Sequence, residues 1–285
     1  MRVSISEIQE MKRKREKIPM LTAYDYITAK VVDEAGVPLI LVGDSLGMVM
    51  LGYDSTIPVT MEEMLHHTKA VVRGARKALI IGDMPFMTYH VSLSEALHNV
   101  GRFIQEGGVQ AVKLEGGEAV AGVVKHIVDC GIPVMGHIGL TPQSIYQLGG
   151  FKVQGETLEV AERLLKDACI LEEAGAFAVV LECIPAPLAK LITQKANIPT
   201  IGIGAGPDCD GQVQVISDIL GLYTDFVPKH AKQYAKLAEE IKAAVSDYVT
   251  EVKSASFPTA KQSYTMDESL LSDVTASGAK QSQCK

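Results

Sequence analysis

The sequence predicts a (β/α)8 TIM barrel, and three observations lead to that fold class. The chain has 285 residues, a usual length for one such barrel. Apolar residues make up 47% of the chain, which is enough for a large core. Short apolar runs alternate with longer amphipathic stretches, the pattern of repeated strand-then-helix units. A doubly wound open sheet is the alternative that this pattern leaves open.

Eight apolar runs are the candidate strands. They lie at residues 20–24, 39–45, 78–84, 109–116, 132–140, 176–183, 198–206 and 219–226. Most are nearly continuous in apolar residues rather than alternating, as expected for parallel strands buried on both faces. The eighth run is the weakest, because Tyr223, Thr224 and Asp225 interrupt it.

The amphipathic stretches between these runs predict helices, of which the clearest span residues 61–75, 92–108 and 157–174. Thr60 with Glu63, and Ser92 with Glu95, have the spacing of a capping box. In that motif a hydroxyl and a carboxylate satisfy the first free N–H groups of a helix. The glycine pair at 107–108 fits the end of the second helix. Each of these helices lies between two candidate strands, as the barrel requires.

The domain organisation follows from composition. No shift typical of a linker interrupts the chain before residue 250, so residues 1–255 are interpreted as one catalytic domain. Residues 256–285 are rich in Ser, Thr, Ala, Lys and Gln and show little periodicity. Such a segment buries too little apolar surface to offset its ordering entropy. We therefore predict a C-terminal tail that is largely disordered.

Charge and cysteine content limit the partners and the location. The net charge of −7 argues against nucleic acid and anionic membranes, because both need a basic face. The five cysteines form no CxxC pair, which suits a reducing compartment. The sequence contains no secretory leader and no apolar stretch long enough to span a bilayer. The expected location is the cytoplasm.

Acidic side chains stand at the predicted carboxyl ends of neighbouring strands, where barrel active sites form. Asp44, Asp83 and Glu115 end the second, third and fourth runs. Clustered acids repel each other unless a cation lies among them. Oxygen ligands without cysteine suit Mg²⁺, which keeps several waters and takes one or two carboxylates. A single acid is better explained as a helix cap or a surface ion pair, but three on successive strands favour a metal site.

Three other polar residues belong to the same predicted mouth. Lys113 lies in an otherwise apolar run. Three roles are open to it: to hold an anionic substrate, to form a Schiff base, or to make a structural ion pair with Glu115 or Glu182. Glu182 follows an apolar run and suits general-base work, although a helix cap before Pro185 is an equal alternative. His137 is a candidate metal ligand, substrate donor or packed core histidine.

Residues 202–206, GIGAG, are a weaker signal. The backbone of such a segment can bind a phosphate at a helix N-terminus, but the tight turn of a barrel loop explains its glycines as well. The chemistry that fits the whole set of strand ends is metal-assisted enolisation of a 2-oxo acid. In that reaction Mg²⁺ chelates the acid, a base removes the neighbouring proton, and the cation and Lys113 stabilise the enolate.

Long stretches of the chain are similar to the ketopantoate hydroxymethyltransferase family, also called 3-methyl-2-oxobutanoate hydroxymethyltransferases. The matching stretches are TAYDY (22–26), LVGDSLGMVMLGYDSTIPVT (41–60), DMPFMTY (83–89), VKLEGG (112–117), GHIGLTPQS (136–144), GGFKVQG (149–155), LEC (181–183) and IPTIGIGAG (198–206). Several of them are long and have unusual residue orders, so the resemblance is specific.

The resemblance implies a barrel of the phosphoenolpyruvate/pyruvate-binding type and a defined reaction. That reaction transfers a hydroxymethyl group from 5,10-methylenetetrahydrofolate to 3-methyl-2-oxobutanoate through a metal-stabilised enolate. The product is 2-dehydropantoate, in pantothenate biosynthesis. The resemblance also implies a large homo-oligomer, typically a decamer.

The resemblance assigns roles by position. Asp44 and Asp83 match the metal ligands, with Glu115 completing the magnesium site directly or through a water. Glu182 matches the general base. The predicted substrate contacts are Asp44, Ser45, Asp83, Lys113 and His137, of which His137 is secondary.

Two rival function classes remain. A carbon–carbon lyase or mutase of the same superfamily shares the barrel and the metal, but such enzymes typically have a cysteine in a lid loop, and residues 86–91 contain none. A barrel that only binds a metabolite would lack a ligand or the base, whereas every matched residue is present. The chain departs from the family at residues 259–262, TAKQ, where relatives have an acidic, His-containing segment.

Overall fold

The computed structural model describes residues 2–276 and contains a closed barrel of eight parallel strands, each paired with the next in chain order. The strands are β1 (Ile18–Thr22), β2 (Leu39–Val42), β3 (Leu79–Asp83), β4 (Ala111–Glu115), β5 (Val134–Gly139), β6 (Ala178–Glu182), β7 (Thr200–Ile203) and β8 (Gly211–Gln214). β8 pairs with β1 and closes the barrel. The predicted fold class is confirmed.

Helices connect most of the strands, and further helices follow the last strand along the chain. They are α1 (Ile5–Lys14), α2 (Tyr26–Glu34), α3 (Leu46–Val49), α4 (Met61–Gly74), α5 (Leu93–Arg102), α6 (Glu118–Asp129), α7 (Ile145–Leu148), α8 (Leu158–Glu173), α9 (Ala186–Lys195), α10 (Ile216–Ile219), α11 (Leu237–Lys253) and α12 (Ser269–Ala276). A π-helical segment, Phe103–Gly107, continues α5, and a 3-10 turn, Pro142–Ser144, precedes α7.

The predicted helix starts agree with the structure. Thr60 and Glu63 form the complete capping box of α4, and the Ser92 hydroxyl accepts a hydrogen bond from the backbone N–H of Glu95. The predicted helix at 92–108 is α5 followed by the π-helical segment. Gly108, in the left-handed conformation, ends that segment.

The predicted eighth strand at residues 219–226 is wrong. The strand that closes the barrel is β8, whose short sequence GQVQ buries only Gly211 and Val213. The apolar signal that suggested a strand belongs to the end of α10 and the loop after it. β8 also follows β7 with no helix between them. The GIGAG segment therefore does not lead into a helix N-terminus, so the structure lacks the helix on which the phosphate-binding alternative was based.

Residues along each strand alternate between two cores. One set points into the barrel and includes Leu79 and Ile81 of β3, while Ile80 packs between the strands and the helices. Period-two alternation continues to the end of the strand, so Asp83 points into the barrel above Ile81. The same holds in β4, where Lys113 follows the buried Ala111 on the inner face. The apolar barrel interior thus supports a polar layer at its carboxyl end.

The chain divides into two compact units, Met1–Ala235 and Lys236–Lys285. None of the residues of α11 is buried. The division precedes α11, whereas the boundary predicted from composition at residue 255 follows it. In the predicted tail, the structure contains a 3-10 turn, Ala260–Gln262, and α12. Residues 277–285 lie outside the described residues, and the disorder predicted for the tail stays a prediction.

Two further predictions concern the described part of the chain. No helix in it is long and apolar enough to cross a membrane. Cys130, Cys169, Cys183 and Cys209 are free thiols. The fifth cysteine, Cys284, lies outside residues 2–276.

Asp33, which is buried near the end of α2, fixes the chain that enters β3. Its carboxylate accepts hydrogen bonds from the backbone N–H groups of Arg76, Lys77 and Ala78 at 3.0, 2.9 and 2.7 Å. Burial raises the pKa of Asp33, but the three hydrogen bonds outweigh it, so this pKa is lowered. A carboxylate of this kind stabilises the fold above its unfolded pKa, and the contribution is lost as the pH falls through the folded pKa.

We expect Asp33→Asn to lower the free energy of unfolding at neutral pH by about 2 kcal/mol, because a neutral amide cannot accept all three hydrogen bonds. Urea denaturation followed by circular dichroism measures this. The control is Asp129→Asn, which removes an exposed pair with Lys125 and should leave the stability nearly unchanged. The loss at Asp33 should shrink as the pH falls through its folded pKa, and a pH-independent loss would contradict the assignment.

Candidate active site

Five neighbouring strands bring their carboxyl-terminal side chains together at one mouth of the barrel. β2 leads into Asp44, β3 ends in Asp83, β4 carries Lys113 and Glu115, β5 carries His137, and β6 ends in Glu182. The register pairs Asp83 with Lys113 and Glu115 with His137. Side-chain contacts run without a break from Asp83 to Glu182, and Asp44 joins Asp83 through its backbone N–H. The structure thus places the sequence-predicted residues of these strands side by side.

Lys113 lies at the centre of the acids. Its Nζ is 2.6 Å from Asp83 Oδ1 and 3.7 Å from Glu115 Oε1, and only 3% of the residue is exposed. Burial lowers the pKa of Lys113, but the charges of Asp83, Glu115 and Asp44 outweigh it and raise this pKa. A lysine held in its ammonium form is a poor nucleophile. The geometry therefore favours charge stabilisation over a Schiff base.

Asp44 and Asp83 are the two aspartates of the cluster, and Lys113 contacts Asp83 through Oδ1. Burial raises the pKa of both groups, and the other carboxylates add to the rise at Asp44. Asp83 Oδ2 accepts a hydrogen bond from the backbone N–H of Asp44 at 3.2 Å. Lys113 and Glu115 also act on the pKa of Asp83, with opposite signs. Mutual repulsion of this kind is relieved when a cation binds between carboxylates.

A metal ion could bind to these side chains with only a few direct protein ligands. The described residues contain no group of three His, Cys, Asp or Glu side chains that could hold a metal ion by themselves. Mg²⁺ requires fewer protein ligands than this, since it takes one or two carboxylates and keeps waters at its other positions. Asp44 and Asp83 could supply these carboxylates, because a single ammonium, that of Lys113, lies among three acids. Glu115, held by Lys113 and His137, is placed to act through a water.

Glu115, His137 and Glu182 form a second line of contacts. His137 Nδ1 is 3.4 Å from Glu115 Oε1, and Nε2 is 3.2 Å from Glu182 Oε2. Burial and the charge of Lys113 lower the pKa of His137, but the two carboxylates outweigh them and raise it to about 9. This direction favours a positively charged ring between Glu115 and Glu182, although neither ring nitrogen makes a hydrogen bond of good geometry. The predicted roles of His137 stay predictions.

Glu182 is the most accessible acid of the mouth. Its side chain is 17% exposed, against 2% for Asp83 and 3% for Glu115. Gly139 allows its position, because a Cβ there would lie 2.2 Å from the Glu182 carbonyl oxygen. The next residue, Cys183, has a positive φ of 47° and turns the chain away from the strand. α9 begins after Pro185 without a side-chain cap, so the alternative of Glu182 as a helix cap is not supported.

Ser45 lies beside the acids at the start of α3. Its hydroxyl is 2.9 Å from the Tyr24 hydroxyl. Tyr24 is fully buried at the carboxyl end of β1, and burial raises the pKa of its phenol. The pair holds a hydroxyl at the edge of the mouth. Tyr24 lies in the matching stretch TAYDY, but its contact with Ser45 could not be read from the sequence.

Sequence reasoning also missed Gln143 and Tyr89. Gln143 is 4% exposed and donates a hydrogen bond from its amide to Asp44 Oδ2 at 2.8 Å. The Tyr89 hydroxyl donates to Gln143 Oε1 at 2.7 Å. Both residues lie in loops, where a polar or aromatic residue gives no signal of burial. Their presence in the family-like stretches 83–89 and 136–144 was the only available indication.

Comparison with known proteins identifies the family of this chain. The family model for ketopantoate hydroxymethyltransferase matches residues 2–260. A protein of Dehalococcoides mccartyi named 3-methyl-2-oxobutanoate hydroxymethyltransferase is 67% identical over 274 residues, which cover 96% of this chain and 97% of that protein. One of the same name from Carboxydothermus hydrogenoformans is 58% identical over 270 residues, covering 95% and 98%.

Solved structures support the fold. Phosphonopyruvate hydrolase in complex with oxalate and Mg²⁺ has a TM-score of 0.59 at 13% identity and covers both chains fully. The 2,3-dimethylmalate lyase, a PEP mutase/isocitrate lyase superfamily member, has a TM-score of 0.58 at 16% identity, covering 97% of this chain and 99% of that one. At such identities the likeness shows the barrel alone, so it gives no support to the lyase or mutase alternative.

The match of the family model to nearly the whole barrel and the high identity to named relatives lead to the same conclusion. The structure has the closed eight-stranded barrel that the family resemblance implied. The matched region contains every residue of the mouth described above. The chain is thus a member of the ketopantoate hydroxymethyltransferase family.

Proposed function

We propose that this protein transfers a hydroxymethyl group from 5,10-methylenetetrahydrofolate to 3-methyl-2-oxobutanoate and forms 2-dehydropantoate. The proposal rests on one observation, which is that two functional groups lie at the same mouth of the barrel. An acid cluster around Lys113 faces the substrate acid, and an accessible carboxylate, Glu182, lies beside it. A reaction that needs both an enolate and a base uses such an arrangement.

Glu182 is the proposed base. It takes the C3 proton of the oxo acid, and the electron pair left at C3 forms the new bond to the one-carbon unit of the folate. Both carbon–nitrogen bonds that hold the one-carbon unit in the folate break. Water supplies the hydroxyl group, and the two folate nitrogens take up the C3 proton and the remaining proton of the water. His137, an imidazolium 3.2 Å from Glu182, orients the carboxylate for this proton transfer.

The oxo acid is bound by the opposite side of the mouth. The ammonium of Lys113 offsets the negative charge that develops on the keto oxygen, and Ser45 donates a hydrogen bond to the substrate carboxylate. Asp44 and Asp83 would hold Mg²⁺, with Glu115 acting through a water. When bound, this ion supplies Lewis-acid polarisation of the keto group.

We also propose a homo-oligomer, with the decamer typical of the family as the expected form. The support is the exposed apolar stripe of α11. It consists of Ile241, Val245, Tyr248, Val249 and Val252, which recur at helical spacing and are 40% to 56% exposed. An amphipathic helix without a buried residue gains stability only when its apolar face is covered. A second copy of the chain is the proposed cover. A cytoplasmic location stays a prediction.

The assignment of Glu182 predicts the behaviour of Glu182→Gln. The variant should bind the oxo acid but exchange its C3 proton with D₂O about two orders of magnitude more slowly, because the amide is not a base. Proton NMR without the folate isolates this step. Glu118→Gln, which removes a surface pair with Lys166, is the control and should exchange as the wild type does. Exchange at the wild-type rate in Glu182→Gln would assign the base to another group, with His137 next to test.

The metal assignment predicts that Asp44→Ala loses nearly all turnover and its dependence on divalent ions. The fold should survive, because Asp44 lies at the rim and not in the apolar core. Turnover measured with Mg²⁺ and with EDTA tests this, and circular dichroism checks the fold. Asp83→Ala should behave in the same way. Wild-type activity of either variant in EDTA would show that the magnesium assignment is wrong.

The oligomer proposal predicts that Val245→Asp reduces the mass of the particle, because a charge in the centre of the stripe must be desolvated when two copies associate. Sedimentation velocity measures the mass. Ala243→Asp places the same charge on the opposite side of α11 and should leave the assembly intact. An unchanged mass for Val245→Asp would exclude this stripe from the interface.

A further inference from the structure

Gln143 joins the ends of three strands by a set of hydrogen bonds. It lies in the 3-10 turn after β5. Its amide Nε2 donates to Asp44 Oδ2 at 2.8 Å and to the Met84 carbonyl oxygen at 2.9 Å. Its backbone N–H donates to Glu115 Oε2 at 3.0 Å, and its Oε1 accepts from the Tyr89 hydroxyl at 2.7 Å. Every polar atom of this buried side chain therefore has a partner.

These partners allow only one orientation of the amide. Rotation by half a turn would place Oε1 against a carboxylate and a carbonyl oxygen, which are both acceptors. Tyr89 strengthens the preference, because it holds the one hydrogen that Oε1 receives. The phenol carries one hydrogen, and Gln143 Oε1 at 2.7 Å is a nearer acceptor for it than the Glu115 carbonyl oxygen at 3.3 Å. The backbone N–H of Glu115 in turn donates to the Tyr89 hydroxyl at 3.2 Å.

The two aspartates of the mouth are thus held by different kinds of donor. Asp83 is paired with the ammonium of Lys113, which lies 2.6 Å from its Oδ1. Asp44 is held by the neutral amide of Gln143, which fixes the carboxylate without adding a positive charge. A metal ligand that a hydrogen-bond partner holds in place keeps the orientation that a cation requires. One oxygen of Asp44, Oδ1, stays available.

We propose that Gln143 is a positioning residue that fixes the Asp44 carboxylate for the divalent cation, and that Tyr89 fixes the amide of Gln143. This inference rests on the magnesium site of the proposed function. It adds a residue outside the acid cluster and assigns it a task different from that of Lys113. The task is to keep Asp44 in place when the site is empty, so that binding of the ion costs little reorganisation.

The test is the affinity of the full-length protein for Mn²⁺, measured by titration calorimetry and by the free-Mn²⁺ signal in electron paramagnetic resonance. Neither measurement depends on turnover. Gln143→Met keeps the length of the side chain and removes its hydrogen bonds. We expect Mn²⁺ to bind about 10 to 100 times more weakly, the usual effect of losing a partner of a metal ligand. Tyr89→Phe should weaken binding in the same direction but by less, because the amide itself remains.

Gln110→Met is the matched control. Gln110 also joins two strands through its side-chain amide, since Oε1 accepts from the Ile80 N–H at 3.0 Å and Nε2 donates to the Gly108 carbonyl at 2.8 Å. It lies at the amino end of β4, away from the mouth. This variant should lose thermal stability and bind Mn²⁺ as the wild type does. The contrast separates positioning of a ligand from general support of the barrel.

The possible results differ clearly. Weaker Mn²⁺ binding in Gln143→Met and Tyr89→Phe, with the control unchanged, supports the inference. Wild-type affinity in Gln143→Met would overturn it and leave the proposed function intact. A wild-type protein that binds no Mn²⁺ would overturn both. If Gln143→Met does not fold, Tyr89→Phe decides the matter alone, and wild-type affinity in that variant then overturns the inference.

Discussion

The charge of Lys113 is the feature on which the rest of the mouth depends. Carboxylates buried on adjacent strands cost several kcal/mol each unless positive charge and hydrogen bonds compensate them. The parallel register places Lys113 directly beside Asp83, and period-two alternation places Glu115 on the same inner face two residues later. One ammonium thus contacts two acids at 2.6 and 3.7 Å. Without it, the acids could remain together only as neutral groups, which bind no cation.

The other contacts of the mouth distribute the remaining charge. His137 lies between Glu115 and Glu182 and shares one positive charge between them. Gln143 and Tyr24 are neutral and fix an oxygen atom without cancelling any charge. The mouth therefore has two parts. In its centre the charges are paired, and at its edge the side chains are held in place by neutral groups. An enolisation site needs such a division, because the base and the metal ligands must stay anionic while the developing charge meets a cation.

The apolar interior of the barrel lies below this polar layer and stabilises it. Each strand places apolar side chains on its inner face before it reaches its polar end, as Leu79 and Ile81 do below Asp83. Hydrophobic burial along five strands offsets the cost of the polar layer above. Local irregularities are confined to the ends of strands. Gly139, with φ of 98°, and Cys183, with φ of 47°, both lie next to Glu182, where the chain must turn to present the base.

Much of the site was predictable because, in a barrel of parallel strands, the carboxyl ends of all strands lie at the same mouth. Strand runs that end in acids must place them at one mouth, and the family-like stretches assigned roles to Asp44, Asp83 and Glu182. The exception was β8, which is short and polar and closes the barrel through its backbone hydrogen bonds rather than through an apolar side-chain pattern. A hydrophobicity pattern does not detect such a strand.

The sequence by itself determined the fold class, the strands β1 to β7 and the identity of the residues at their ends. Only the tertiary structure decided which partner each of these residues has. Lys113 had two predicted partners, Glu115 and Glu182, but its shortest contact is to Asp83. Gln143 and Tyr89 had no predicted role, although they hold the acid cluster from two loops. The physical reason is that strand ends are ordered by the regular spacing of a sheet, whereas hydrogen bonds from loops depend on directions and distances that no local pattern contains.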